Sequence, residues 1–207
     1  MTRYLIDIRQ MGPVRHQIHA LSARLEEQFP IRDRQVVPHI TLAGPFSTND
    51  EERLLRDFAR VCENHSGTPQ YEVGGYGCFD ASRVVFVAIL PDESLRQFRA
   101  ALTEAFTPYC TLRDYDRVPA DGFRFHSTLA MNLDWLTFQR IKWFIRHQEP
   151  VLHRPHPVRV TLLRNSRVLC EYDFARRRML TGAQARGRAI HMRDRDSLRL
   201  WGDEPGA

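Results

Sequence analysis

Two short segments of this 207-residue chain repeat one arrangement of reactive side chains. They are His39-Ile40-Thr41-Leu42 and His126-Ser127-Thr128-Leu129, 87 residues apart and different only at their second position. Each lies in a run that predicts a strand: VVPHITLAGPF over 36–46, broken by Gly44-Pro45, and FRFHSTLAMNL over 123–133. Alternate side chains of a strand share a face, so His39 and Thr41 point one way while Ile40 and Leu42 point to the core. His126 and Thr128 share a face likewise, with Ser127 a weaker core residue than Ile40. If the two copies pair about a pseudo-two-fold axis, two imidazoles and two hydroxyls meet in one cleft. That set suits attack at phosphorus. One imidazole takes a proton from the attacking oxygen and the other, as imidazolium, gives one to the leaving oxygen, because an imidazole titrates near neutrality. Each threonine hydroxyl can donate to a phosphoryl oxygen on which charge develops. The scheme needs neither a metal ion nor a nucleotide cofactor. Which histidine is acid and which is base stays open.

The elements that must carry these groups also repeat. YLIDI (4–8) alternates as a short strand, and Val14, Ile18, Leu21, Leu25 and Phe29 form a helical stripe over 13–29 behind Pro13. After the first motif, Thr48, Asn49 or Asp50 can cap a helix whose apolar face holds Leu54, Leu55, Phe58, Val61 and Cys62. The second copy has a strand over 83–90 that is apolar on both faces and therefore central. A helix over 92–106, the second motif strand and a helix over 134–147 follow. Strand, helix, strand, helix thus occurs at 4–62 and again at 84–147. Between the copies, 71–80 reads as a Gly-rich strand or strand pair, and 111–122 is polar. Residues 157–165 and 167–174 read as a hairpin turning near Asn165-Ser166. One domain is expected over 1–182, followed by an Arg- and Gly-rich tail over 183–207.

Composition excludes several classes. The hydrophobic fraction of 43% and charged fraction of 27% are ordinary globular values, and no apolar run is long enough to span a membrane. The N-terminus has Asp7 and Arg9 inside its short apolar stretch and lacks the apolar run of a signal peptide, so the expected compartment is the cytoplasm. Cys62, Cys78, Cys110 and Cys170 are scattered and read as reduced thiols rather than a zinc ribbon or disulfide scaffold. The net charge is +5, and all basic residues but Lys142 are arginines. Residues 154–199 hold 12 arginines against four carboxylates, an excess suited to a phosphate-bearing partner or to a solvated surface. His153 and His156 read as a surface loop rather than a metal site, Gly74-Gly75-Tyr76-Gly77 as a bulged strand near the cleft, and His16 and His19 as solvated. Phe46, Tyr76 and Phe123 are candidates to stack on a base, and Arg9 and Arg124 are candidates to hold phosphate.

With PHITLAGPF (38–46) and FHSTLAM (125–131) in view, the sequence resembles the two-histidine phosphoesterase superfamily, near its 2′-5′ RNA ligase branch. The resemblance extends over about residues 1–175. It implies an α+β bilobal fold, with two antiparallel-dominated sheets, outer helices and internal pseudo-two-fold symmetry around a central cleft. It implies His39 and His126 as the acid–base pair and Thr41 and Thr128 as phosphate-binding hydroxyls, with no cofactor. Expected substrates are RNA ends or small nucleotides carrying a 2′,3′-cyclic phosphate or a 2′-5′ linkage, handled by a monomer. Ligation by the reverse reaction, cleavage of cyclic oligonucleotides and a non-catalytic RNA- or nucleotide-binding module are the alternatives. Ser127 departs from the apolar residue the family prefers there.

Overall fold

The computed structural model describes residues 1–33 and 37–187. The chain runs β1 (Tyr4–Arg9), α1 (Gly12–Gln28), β2 (His39–Phe46), α2 (Glu51–Asn64), β3 (Tyr71–Phe79), β4 (Val84–Pro91), α3 (Glu93–Phe106), β5 (His126–Ala130), α4 (Trp135–Arg146), β6 (Leu152–His153), β7 (Arg159–Arg164), β8 (Arg167–Asp173), β9 (Arg178–Thr181) and α5 (Gly182–Ala185). The strands form two wholly antiparallel sheets, β2-β1-β7-β8-β9 and β5-β4-β3-β6. The fold is α+β, as expected. No helix among the described residues is long and apolar enough to cross a membrane.

Capping and periodicity account for the helix limits. Asp50, Asp92 and Asp134 each accept a hydrogen bond of 2.9 Å from the backbone N–H three residues on, so α2, α3 and α4 begin just after them. Pro13 sits in the first turn of α1, where a missing N–H costs nothing. Each helix turns its apolar stripe inward, and residues from both sheets join one core cluster: Ile6, Ile8 and Leu42 from one, Val85, Val87 and Leu129 from the other. The β7–β8 turn has Asn165 and Ser166 at φ 48° and 63°, the left-handed pair that matches strand twist.

The two copies of β-α-β-α are related as the repeat predicts. β2 and β5 are edge strands of their sheets, and their Cα atoms approach within 8 Å. Each end of this seam is closed by an isolated bridge: Ser47 to Thr111, and Asp33 to Met131. One joins the end of β2 to the segment before β5, and the other joins the end of β5 to the segment before β2. Edge strands that would otherwise expose unpaired backbone are thereby covered.

Three elements escaped the sequence reading: β6, β9 and α5 are too short to show a period. The predicted strand over 123–133 shortens to His126–Ala130, because 114–117 and 120–122 coil into 3₁₀ turns just before it. Those turns are pinned by the buried Arg99, which donates to the carbonyls of Tyr115, Asp116 and Val118. The predicted strand start at residue 36 and the tail beyond 187 lie outside the described residues.

Candidate active site

The alternation inferred from sequence positions the site. Ile40, Leu42 and Leu129 are buried, whereas His39, Thr41 and His126 are only half-buried, and Thr128 is 9% exposed. The imidazoles are tethered identically. Nδ1 of His39 lies 2.8 Å from the Val37 carbonyl, and Nδ1 of His126 lies 2.8 Å from the Arg124 carbonyl. A carbonyl only accepts, so Nδ1 carries the proton in both rings and Nε2 is the basic nitrogen of each neutral imidazole. The hydroxyls of Thr41 and Thr128 have no hydrogen-bond partner among the described residues. They are open to an incoming acceptor.

Both imidazoles are harder to protonate than an ordinary histidine. Burial is the main cause in each case, and the carbonyl bond opposes it. Arg9 adds to the depression at His39; His39 itself and Arg124 add to it at His126. The two rings are therefore close enough to feel each other's charge.

Of the five residues considered for substrate contact, the fold brings two beside the histidines. Arg9 lies opposite His39 in the β1–β2 register, with its guanidinium 3.9 Å from both Asp7 and Glu171. Arg124 lies over the rings of Phe79 and Phe86, at 5.4 and 5.8 Å, and makes no ion pair among the described residues. The other three are placed elsewhere. Phe46 is buried between Tyr4 and Phe106, because its parity in β2 is that of the core residues Ile40 and Leu42. Tyr76 packs against the core and donates its hydroxyl to the Glu149 carbonyl, since a bulge between Val73 and Tyr76 reverses the facing of β3. Phe123 stacks edge-on against Phe125 and covers the Arg99 guanidinium at 3.6 Å.

Sequence reasoning missed the residues that support the site. The His126 ring rests on Phe79 and Phe86, with centroids 4.9 and 5.2 Å away. A Cβ on Gly77 would strike the Phe86 ring, so that glycine makes room for the prop. The only hint was that β4 is apolar on both faces. On the five-stranded sheet, Asp7, Glu171 and Asp173 are buried with Arg159 and Thr161 on the same strand faces. A carboxylate inside YLIDI was the available signal. Burial, with Glu171 adding to it, lifts the Asp7 carboxyl to about 7, against the pull of Arg9 and Thr161. A cavity of about 560 Å³ opens beside His39, lined by Leu5, Asp7, Arg9, Val37 and Leu163 among others.

Half of the described arginines in the basic 154–199 segment pair with carboxylates. Arg154, Arg159, Arg164 and Arg176 pair with Glu72, Glu171, Glu51 and Asp173. Among the described residues, no three histidine, cysteine or carboxylate side chains stand together as a metal-binding group, His153 and His156 included.

Two histidine–threonine strands, meeting edge to edge between antiparallel sheets, define a pseudo-symmetric twin-histidine fold. Residues 12–168 match the 2′-5′ RNA ligase superfamily, and the chain belongs to it. Membership marks it as a protein of the phosphoesterase and ligase kind. Similar solved structures include apo LigT from E. coli, at 20% identity and TM-score 0.48, covering 87% of this chain and 93% of that one. LigT bound to 3′-AMP aligns at 18% identity and TM-score 0.47, covering 86% and 92%. Usb1 from Kluyveromyces marxianus with uridine monophosphate aligns at 16% identity and TM-score 0.44, covering 81% and 96%. No curated protein sequence matches the chain.

Proposed function

We propose that the protein is a metal-independent phosphodiesterase that opens 2′,3′-cyclic phosphates or cleaves 2′-5′ linkages at RNA ends or in small nucleotides. The observation that carries this reading is the matched pair of tethered imidazoles, each with a partnerless threonine hydroxyl two residues on. In the forward reaction, one Nε2 takes a proton from water as its oxygen bonds to phosphorus. The bond from phosphorus to the ribose oxygen breaks, and that oxygen takes the proton of the other imidazolium. Thr41 and Thr128 donate to the non-bridging oxygens, and the uncompensated Arg124 charge attracts the phosphate. With a ribose 5′-hydroxyl in place of water, attack on the cyclic phosphate forms a phosphodiester, the ligation for which the superfamily is described, and in the reverse cleavage the two imidazoles exchange acid and base roles.

The test is turnover of 2′,3′-cyclic mononucleotides and 2′-5′ dinucleotides by the purified protein in EDTA. Activity should survive chelation, and His39→Ala or His126→Ala should each cost on the order of 10²–10⁴ in rate. Turnover by His126→Ala at the wild-type rate, or activity lost to EDTA and restored by one divalent ion, would overturn the reading.

A further inference from the structure

The pseudo-two-fold relation sets α1 against α3 and α2 against α4, so the surface groove between α2 and α3 has its counterpart between α4 and α1. The α2–α3 groove, about 600 Å³, is electrostatically closed. Its arginines are tied down: Arg53 and Arg60 to Asp57 at 3.6 and 2.8 Å, and Arg56 to Glu52 at 3.8 Å. The α1–α4 groove, about 610 Å³ and lined by Gln28, Phe29, Gln139, Arg140, Trp143 and Phe144, is the opposite. Over its 12 residues α4 carries Arg140, Lys142 and Arg146 and no carboxylate. Its solvent face presents Trp135, Leu136 and Trp143, each more than 60% exposed. Large aromatics left mostly exposed on a solvated helix face are costly to leave in water and mark a contact surface.

The cations here are spent on rings rather than on acids. The Arg140 guanidinium lies 5.5 Å from the Phe29 centroid, and Arg24 of α1 lies 5.5 Å from Phe144. Neither these two nor Arg146 forms an ion pair among the described residues. Lys142 pairs with Asp80, and the carboxylates nearest in sequence are Asp134, which is engaged in capping α4 through Thr137, Glu26 and Glu27 in α1, and Glu149 beyond α4. Trp143 itself lies against the His147 ring, 4.4 Å between centroids and tilted by 43°. Flat aromatic faces interleaved with unpaired guanidinium groups match one kind of occupant: bases that stack, on a backbone of phosphates.

We infer that the α1–α4 groove binds single-stranded RNA outside the catalytic cleft. Trp135 and Trp143 serve as stacking platforms, and Arg24, Arg140 and Arg146 hold phosphates. The choice of RNA rests on the functional reading above; the groove itself does not. The surface would give the enzyme affinity for an RNA strand while its end is processed at the histidines.

The experiment uses the full chain with Trp201→Phe in every arm, so that emission reports α4. The probe is a labelled oligouridine of about ten nucleotides with a plain 3′-hydroxyl end. Binding is read in every arm from the anisotropy of the label, and in the parent it should also quench tryptophan emission. Trp135→Ala with Trp143→Ala should weaken it by about tenfold or more, and Arg140→Gln with Arg146→Gln should lower the salt slope by roughly two. Both variants should turn over a 2′,3′-cyclic mononucleotide at the parent rate, which also reports that they fold. Unchanged oligonucleotide affinity in both variants would overturn the inference. So would tryptophan-dependent binding to anionic phospholipid vesicles or self-association in place of RNA binding. If the oligonucleotide binds through α4 but no cyclic phosphate or 2′-5′ bond is cleaved, the groove stands and the catalytic reading falls.

Discussion

His39 and His126 each give their Nδ1 proton to a carbonyl two residues upstream and are depressed by burial. That environment sets a pH profile. A productive encounter needs one neutral and one protonated ring, so kcat/KM for a cyclic phosphate, anionic throughout the range, follows a bell centred between the two free-enzyme values. Both rings lie below the ordinary 6.5, so the maximum should fall on the acid side of that value. A measured maximum above pH 7.5 would contradict the burial assigned to the pair. The twin motif was legible because histidine, threonine and their spacing are explicit in the sequence. The props Phe79 and Phe86 were not, because an aromatic in an apolar strand reads as core whichever face it takes.

Among the elements, β2 shows how backbone geometry holds a motif in place. Gly44 lies five residues beyond His39 with φ 108°, and a Cβ there would sit 2.8 Å from the Tyr4 carbonyl oxygen and 3.1 Å from Leu5 Cα. Its N–H donates to Asp116 at 3.0 Å, and its carbonyl accepts from the Tyr115 hydroxyl at 2.8 Å. This ties β2 to the 3₁₀ turns that precede β5. Gly44→Ala meets both backbone strain and a backbone neighbour that cannot swing aside. It should cost on the order of 3 kcal/mol, a fall in Tm of roughly 5–10 °C. A thermal melt within a degree of wild type would show that the strand can relax there. The strand and its Gly-Pro breaker were readable in sequence. The clamp from Tyr115 and Asp116, more than 70 residues away, was not, since local patterns carry no record of distant hydrogen bonds.

For the molecule as a whole, the buried carboxyl of Asp7 ties stability to pH. Its value rises from 3.8 to about 7 on folding, chiefly through burial. Between these values the folded protein keeps a proton that the unfolded chain has released, so stability falls as pH rises through that window. Asp7→Asn removes the titration. Urea melts should find the variant increasingly more stable than wild type on going from pH 5 to pH 8, by an amount on the order of a few kcal/mol. Parallel stability profiles for the two proteins would show that the Asp7 charge is solvated.

The amino-acid order alone determined the internal repeat, the alternating strands that turn His39, Thr41, His126 and Thr128 together, the helix caps and the family resemblance. Each is a local pattern of period two, period 3.6 or motif identity. Tertiary structure decided what depends on which strands become neighbours. It set β2 against β5 so that the histidines share one field, buried Phe46, turned Tyr76 onto the core at a bulge, and paired Arg154 and Arg164 with carboxylates of a distant strand and helix. It also left α4 with tryptophans and arginines facing water while its pseudo-symmetric counterpart α2 closed itself with ion pairs. Such choices are fixed by long-range pairing, whose partners lie tens to more than a hundred residues apart in the chain.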